Sequence, residues 1–493
     1  MRVLVTGATG FVGRALILHL LGAKDQVAAW VRNEKRARGL LGSDVELVSA
    51  RANIAEQIGR ADAVVNLAGE PIFGARWSPA RKRAIVDSRI NLTRAIAAAI
   101  SQSASRPAVF VSASAVGYYG DRGDEVVDDD TFSGNDFLAD LCRAWEAAAL
   151  DAQKSGVRVF IPRLGIVLGA EEGALGRMVL PFRFGAGGPI GSGSQYVPWI
   201  HLDDLIAIIS TGLRDERMIG PVVAAAPNPA TSRQLASAIG GVLRQPSRLP
   251  VPGVALKLLL GEAATLLLTG QRVRPRRLQE LGFSWRYPQV EAALADILKD
   301  HVPDIRNFSE ATPKPSASPD STYFRTNRPR YVLTQRTQVA APMEEVFQFF
   351  SNPQNLGVMT PSAMRFQILN PMPDEIRRGL RIEYSIRLGP VPFRWCTCIE
   401  EWHPPTAFAD SQESGPYSSW WHEHHFEPDG NSTLMEDRVY YSPPLGPAGT
   451  IANAFFVAPA LRRIFSYRSQ AIRRRFAQAR SRVCHGVEKR SLR

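Results

Sequence analysis

Short apolar runs alternate with segments of helical period through the first half of the chain. Arg2 to Thr6 is a run that stops at Gly7, and Phe11, Val12, Ala15, Leu16 and Leu20 then recur at helical spacing. That pattern predicts a strand, a tight turn and a helix start. Further strands are expected at 26–31, 45–49, 63–67, 109–112 and 157–161, with helical segments between most of them. This is the order of a doubly wound parallel sheet with helices on both faces. Residues 230–300 read as a small helical lobe whose apolar stripe packs on the sheet. Pro303, Pro313, Pro315, Pro319 and Pro329 lie among Ser, Thr, Asp and Lys, so 303–330 reads as an exposed linker.

Beyond the linker the period changes. Val332 to Val339 alternates, and 342–350 is helical with Val346, Phe347 and Phe350 on one face. Strands are expected at 380–388, 393–402, 418–427 and 433–441. Phe456, Leu461, Ile464, Phe465, Ile472 and Phe476 mark one face of a long terminal helix. The organisation expected is an α/β domain over 1–230, a helical lobe over 231–302, a linker over 303–330, an α+β domain over 331–482 and a basic tail over 483–493.

The 493 residues are 45% hydrophobic and 22% charged, the balance of soluble globular domains. That length suggests about two to four of them. No uninterrupted run reaches the roughly 18 apolar residues of a membrane span; even Val254 to Leu268 is broken by Lys257, Gly261 and Glu262. The first residues go directly into a strand, so no signal peptide is expected. Four cysteines, among them Cys396 and Cys398, are too few for a disulfide framework. A cytoplasmic setting with reduced thiols is therefore expected.

The net charge of +12 is uneven: 461–493 holds eleven Lys or Arg against one acid, Glu488, which places +10 there. Such a tail reads as a solvated helix end and frayed terminus, with peripheral contact to an anionic membrane as a second reading. No recognition motif or pattern of stacking aromatics accompanies it, so no nucleic-acid partner is expected. The oligomeric state is left open.

Gly7, Gly10 and Gly13 stand at three-residue spacing between the first strand and its helix. Gly7 permits a sharp turn, Gly10 lets a pyrophosphate approach the amides of the helix start, and Gly13 lets helix and strand lie close. An NAD-binding chain places an acid about twenty residues further on for the ribose hydroxyls. Here Trp30-Val31-Arg32 is followed by Lys35, Arg36 and Arg38, which favours the 2′-phosphate of NADP(H). The strand end Asn66, Leu67, Ala68 and Gly69 has small residues against which a ligand can lie. The expected cofactor site is Gly7, Thr9, Gly10, Phe11, Val12, Gly13, Arg32, Asn66, Leu67, Ala68, Gly69 and Ser112.

Taken in order over residues 1 to about 230, these features resemble a known superfamily. The glycine turn, the Asn66 to Gly69 strand end, Ser112-Ala-Ser-Ala-Val-Gly-Tyr-Tyr-Gly120, Pro162-Arg163-Leu164 and Trp199-Ile-His-Leu-Asp-Asp204 resemble the extended short-chain dehydrogenases/reductases and nucleotide-sugar epimerases. The resemblance implies a Rossmann-type fold. It also implies a Tyr-x-x-x-Lys pair on the helix after the fifth strand, in which the lysine lowers the tyrosine pKa for proton passage during hydride transfer. Aligning Glu146 with the acid that commonly follows the lysine puts Leu138 and Cys142 in the two places, and no Tyr-x-x-x-Lys occurs anywhere in the chain.

A narrower branch shares that departure. Arg76-Trp77, Lys82, Ser88-Arg89, the 137–146 helix with Cys142 and Trp145, Gly261-Glu262, Gly270-Gln271-Arg272-Val273, Pro275, Arg277-Leu278 and Gly282-Phe283 resemble the epimerase family, or cell-division-inhibitor-like, proteins. Their members resemble NADP-binding reductases without the usual pair. Ser114 matches the superfamily's catalytic serine, and Tyr118 beside it is the candidate proton donor, with packing as the alternative for Tyr118 and Tyr119. Cys142 is expected to be buried in its apolar helix. His201, before Asp203 and Asp204, is expected to cap a helix.

Residues 331–482 resemble the START/polyketide-cyclase-like helix-grip superfamily, through Ala341-Pro-Met-Glu-Glu-Val-Phe347 and Asp437-Arg-Val-Tyr-Tyr-Ser-Pro-Pro-Leu-Gly446. The resemblance implies a curved antiparallel sheet around a long helix and a hydrophobic or lipid-like small-molecule ligand. Cys396 and Cys398 share one strand face, and His422 and His424 another, so four zinc ligands would meet if those strands paired. Strand alternation produces such sets easily, and a cavity lined by Cys, His and Trp is the plainer reading, so no metal is expected. The functional expectation is an atypical NADP(H)-binding oxidoreductase or isomerase for an apolar small molecule, which the second domain holds at high effective concentration. The alternative is a non-catalytic module that senses NADPH and binds lipid.

Overall fold

The computed structural model describes residues 1–477 except 74–75, 170–172, 301, 310–326, 328, 372, 374 and 389–390. The tail expected over 483–493, and Pro313, Pro315 and Pro319 of the expected linker, lie outside the described residues. Arg2–Thr6 (β1), Gln26–Val31 (β2), Glu46–Ser49 (β3), Ala63–Asn66 (β4), Val109–Ser112 (β5), Arg158–Leu164 (β6) and Gly220–Ala224 (β7) form a parallel sheet in the order β3-β2-β1-β4-β5-β6-β7. β7 is the one strand of this path that the apolar pattern did not single out. Helices Phe11–Gly22 (α1), Pro79–Gln102 (α2), Phe137–Leu150 (α3) and Leu202–Arg214 (α4) cover its faces.

The continuous apolar runs are explained by burial on both sides. Val3 and Val5 join Leu16 and Leu20 of α1 and Ile206 and Leu213 of α4 in one core, while Leu4 joins Ile96 and Ile100 of α2 in another. Each fully buried Leu or Ile contributes ~1.5–3 kcal/mol of transfer free energy. From β1 the sheet grows in opposite directions through β2 and β4, which opens a crevice at the carboxyl ends of β1 and β4.

The lobe packs differently from the expectation. Val254, Leu258 and Leu259 of the helix Gly253–Leu260 point outward at 70–72% exposure, and no residue of that helix is buried. The contacts with the sheet come from later residues: Leu278 and Phe283 enter the first core, and Val273 packs with Tyr119 and Val223. Val273 also pairs in parallel with Val127. The Gly253–Leu260 helix is instead held at its C-terminal end, through the Arg76 guanidinium on the Leu258 and Leu259 carbonyls and the 2.6 Å Lys82–Glu262 ion pair just beyond it.

In the second domain, Asp304–Asn307 (β8), Tyr331–Val339 (β9), Gln367–Ile368 (β10), Arg381–Leu388 (β11), Val391–His403 (β12), Ala407–Ser414 (β13), Ser419–Asp429 (β14) and Ser432–Ser442 (β15) form an eight-stranded antiparallel sheet. Its order is β8-β9-β15-β14-β13-β12-β11-β10. β8 lies inside the span read as linker; as an edge strand it needs no apolar pattern. β13 was not predicted, because its inward positions include Asp410 and its run is half polar. The helix Ala458–Arg475 (α5) packs Leu461 and Phe465 against Trp395, Trp420 and Val439. Phe456, expected on that face, precedes the helix and is 74% exposed.

The two domains touch through α1 and α5. The Arg14 guanidinium donates to the Tyr467 hydroxyl at 2.8 Å, and Leu18 packs with Phe349, Ala471 and Ile472. A Cβ at Gly22 would stand 2.5 Å from the Arg475 carbonyl oxygen, so glycine permits the approach. Arg474 pairs with Asp203 at 2.7 Å and Arg475 with Asp44 at 3.1 Å. Part of the basic C-terminal excess therefore docks on the first domain. Among the described residues no helix is long and apolar enough to cross a membrane.

Candidate functional site

The crevice at the carboxyl ends of β1, β4 and β5 gathers most of the expected cofactor residues. Gly7 has φ +67°, and a Cβ there would lie 2.5 Å from the Leu67 carbonyl carbon. A Cβ at Gly13 would lie 2.3 Å from the Gly7 carbonyl oxygen, so only glycine lets α1 close on the turn. Gly10 is the exposed N-cap of α1, with no side-chain cap and no acid in the first turn. Its helix amides therefore face outward beside Thr9, Phe11 and Val12, the arrangement that binds phosphate. Leu67, Ala68 and Gly69 form the facing wall, and Arg32 is exposed at the end of β2.

Thr6, Asn66 and Ser112 stand abreast across the three strand ends. The Thr6 hydroxyl donates to Asn66 Oδ1 at 2.7 Å, and Asn66 Nδ2 donates to Thr93 Oγ1 at 2.9 Å. Asn66 is fully buried, so its side chain ties the strand ends together; the surface offered to a ligand is the backbone of 67–69. The Ser112 hydroxyl is also buried but has no hydrogen-bond partner among the described residues. An unpaired buried hydroxyl costs about 1–3 kcal/mol, and a ligand group in the crevice would relieve it.

The catalytic residues expected from sequence belong to a different network. The Ser114 hydroxyl donates to Glu146 Oε1 at 2.7 Å, and Glu146 receives both Nε and Nη2 of Arg163 at 2.9 Å. Arg163 also donates to the Tyr119 hydroxyl at 3.0 Å and lies 3.5 Å from the centre of the Tyr118 ring. Burial raises the Tyr119 phenol well above its ordinary value against the lowering effect of Arg163. Ser114 is thereby committed as a donor to a carboxylate rather than aimed at a substrate oxygen. Tyr118, half-buried against the guanidinium, is the phenol of this cluster that still reaches the surface.

Burial pushes the Cys142 thiol up to about 12, so it supplies no thiolate in place of the missing lysine. His201 caps α4 as expected, its Nδ1 accepting from the Asp203 amide at 3.1 Å. Arg89, which sequence reasoning quoted but gave no role, is buried against Gly69, where a Cβ would meet its Cζ at 3.0 Å. It donates to the Glu70 and Ile85 carbonyls and lies over the Trp145 ring. The lobe residues quoted from 270 to 283 have a local role: Gln271 donates to the Gly120 carbonyl at 2.6 Å and the Arg277 amide to Asp129 at 3.0 Å. The lobe thus clamps the loop that carries Tyr118 and Tyr119.

The four cysteine and histidine positions do not converge. β13 lies between β12, with Cys396 and Cys398, and β14, with His422 and His424, so the condition for that ligand set is not met.

Comparison with known proteins agrees with the fold of the first domain. The model of the NAD dependent epimerase/dehydratase family matches residues 3–222, and that of a domain of unknown function, DUF1731, matches 251–297. An Arabidopsis thaliana chloroplastic homologue of epimerase family protein SDR39U1 is 43% identical over 304 residues, 61% of this chain and 87% of the relative. Epimerase family protein YfhF of Bacillus subtilis is 35% identical, covering 61% of this chain and 99% of its own. The crystal structure of human SDR39U1 with NADPH is 34% identical, with a TM-score of 0.55 over 61% of this chain and all of that one. The chain therefore belongs to the NAD dependent epimerase/dehydratase family, among the epimerase family proteins that carry the DUF1731 segment.

Proposed function

We propose that the first domain binds NADP(H) in the crevice of β1, β4 and β5 and acts as an atypical oxidoreductase or isomerase on an apolar small molecule. The observation that carries the reading is the glycine cradle: a turn and helix start into which no Cβ fits at Gly7 or Gly13, opening on uncapped helix amides beside the orphaned Ser112 hydroxyl. The human relative's complex with NADPH supports the choice of cofactor. Gly7 to Gly13 would hold the pyrophosphate, Arg32 the 2′-phosphate, and Leu67 to Gly69 the nicotinamide side. NADP(H), when bound, supplies a hydride donor or acceptor.

Proton passage would fall to Tyr118, with Arg163 fixed against its ring and Ser114 and Glu146 positioning that arginine. The lobe bounds the substrate side through Arg76 and Lys82. The aromatic wall of Trp395, Trp420, Tyr384 and Tyr417 beneath α5 supports a helix-grip-like second domain that takes a hydrophobic or lipid-like ligand. Titration of the full chain with NADPH and NADH, followed by cofactor fluorescence, tests the core of the reading. Arg32→Ala should weaken NADPH by ~10–100-fold, as for loss of a charge-assisted bond, and leave NADH nearly unchanged. Equal losses for both would refute the role of Arg32. No binding of either would refute the site.

A further inference from the structure

The unpredicted strand β13 brings Asp410 onto the same sheet face as His422 and His424. Asp410 stands opposite His422 in the ladder between β13 and β14, and His424 stands opposite Asp437 in the ladder between β14 and β15. All four side chains project toward α5, where His422 meets Phe465 and His424 meets Arg468. The cluster is deeply placed, with side-chain exposures of 7% for His422, 3% for His424, 13% for Asp410 and 2% for Asp437.

The two carboxylates play unlike parts. Asp437 Oδ1 lies 3.1 Å from His422 Nε2 and 2.8 Å from His424 Nδ1, and the Arg468 guanidinium lies 3.4 Å from that same His424 nitrogen. The other nitrogen of each ring, His422 Nδ1 and His424 Nε2, is the one nearer Asp410. Both of those nitrogens lie 3.6 Å from Asp410 Oδ2, outside hydrogen-bond length. Two ligands about 2.1 Å from one tetrahedral ion stand ~3.4 Å apart. The separations thus suit a shared ion and do not suit direct hydrogen bonds. One potential ligand atom from each of the three residues can be chosen so that all lie within 4.8 Å of one another.

Arg468 sits 3.9 Å from the Asp437 carboxylate and balances that charge. Phe408 stacks on His424 at 4.0 Å and holds the ring.

We propose that Asp410, His422 and His424 form a site of two imidazoles and one carboxylate for a divalent first-row transition metal such as Zn2+, with Asp437 orienting both histidines from behind. Three protein ligands leave a coordination position for water or a small oxygen ligand, facing α5. The site lies in the second domain and does not depend on the reading of the cofactor crevice.

The test uses the full chain, stripped with chelator and carrying Cys484→Ser and His485→Ala so that the tail offers no competing ligands. Titration with ZnCl2 by calorimetry, and with CoCl2 by visible absorption, should give one equivalent bound and d–d bands without a thiolate charge-transfer band. Asp410→Asn and His422→Asn should lose the ion, and Asp437→Asn should weaken it by ~10–100-fold. Thermal melting of each metal-free variant identifies those that remain folded, and only these are compared. Absence of stoichiometric binding, a thiolate band from Cys396 or Cys398, or unchanged affinity in both ligand variants would overturn the assignment.

Discussion

Replacing Glu146 by Gln keeps the size of the side chain and removes its charge. In the native chain Glu146 accepts two bonds from Arg163 at 2.9 Å and one from Ser114 at 2.7 Å, and the side chains of the pair are 4% and 6% exposed. A glutamine turns one acceptor into an NH2 group that faces an Arg163 donor in either orientation, and it leaves the Arg163 charge buried without a counter-charge. Breaking a buried pair from one side costs about 3–5 kcal/mol. For a domain of 150–250 residues each kcal/mol lowers Tm by ~2–4 °C, so Glu146→Gln should lower the transition of the first domain by ~6–20 °C. Ser114→Ala removes one bond to a charged acceptor and should cost less, ~1.5–3 kcal/mol.

Scanning calorimetry of the full chain reads both, and the transition of the second domain serves as internal reference. Glu146→Met with Arg163→Met should be milder than Glu146→Gln, because apolar replacement of both partners leaves no uncompensated charge. It would still leave the Tyr119 hydroxyl and the Asp129 carbonyl short of a donor. A shift below ~2 °C for Glu146→Gln would refute the view that Ser114, Glu146 and Arg163 form one structural unit. Ser114 would then be available for chemistry.

Two further outcomes separate the roles of other residues. At Gly10 an added Cβ meets only the Gly7 carbonyl oxygen, at 3.1 Å, whereas at Gly13 it would stand 2.3 Å from that atom; Gly10→Val should therefore abolish NADPH binding with little change in Tm, and Gly13→Val should lower Tm as well. Equal Tm losses would place both glycines in the fold alone. At the domain interface, Asp203 is pushed up by burial but held well below the ordinary carboxylate range by Arg474 and His201. Its stabilisation is complete above the unfolded value of about 3.9 and is lost as pH falls below it. The Tm difference between the native chain and Arg474→Ala should thus be constant near neutrality and shrink below about pH 4; a difference that grows on acidification would contradict the pairing.

What the sequence determined by itself is what depends on neighbours along the chain. Strands β1 to β6 were legible because both sheet faces are buried, so apolar character runs unbroken through Val3-Leu4-Val5 and its counterparts. The glycine turn was legible because backbone conformation and the room for a Cβ are set within a few residues of Gly7. The His201 cap and the burial of Cys142 follow from equally short spacings.

Tertiary structure decided what depends on residues far apart. Ser114 matches a catalytic pattern, yet its partners Glu146 and Arg163 come from α3 and β6, and their convergence turns the hydroxyl inward. The apolar face of Gly253–Leu260 looks like core until the sheet is covered by Leu278 and Phe283 instead. Docking of α5 on α1, and with it the placement of Arg474 and Arg475, depends on a glycine that matters only when the second helix arrives. β13 was hidden because Asp410 and Ser411, two of its four buried residues, are polar, and polar burial leaves no hydrophobic period to read. Its insertion between β12 and β14 separates the cysteines from the histidines and sets Asp410 beside His422 and His424. Hydrophobic pattern records which residues leave water; which polar groups meet once they have left is decided by strand order and register.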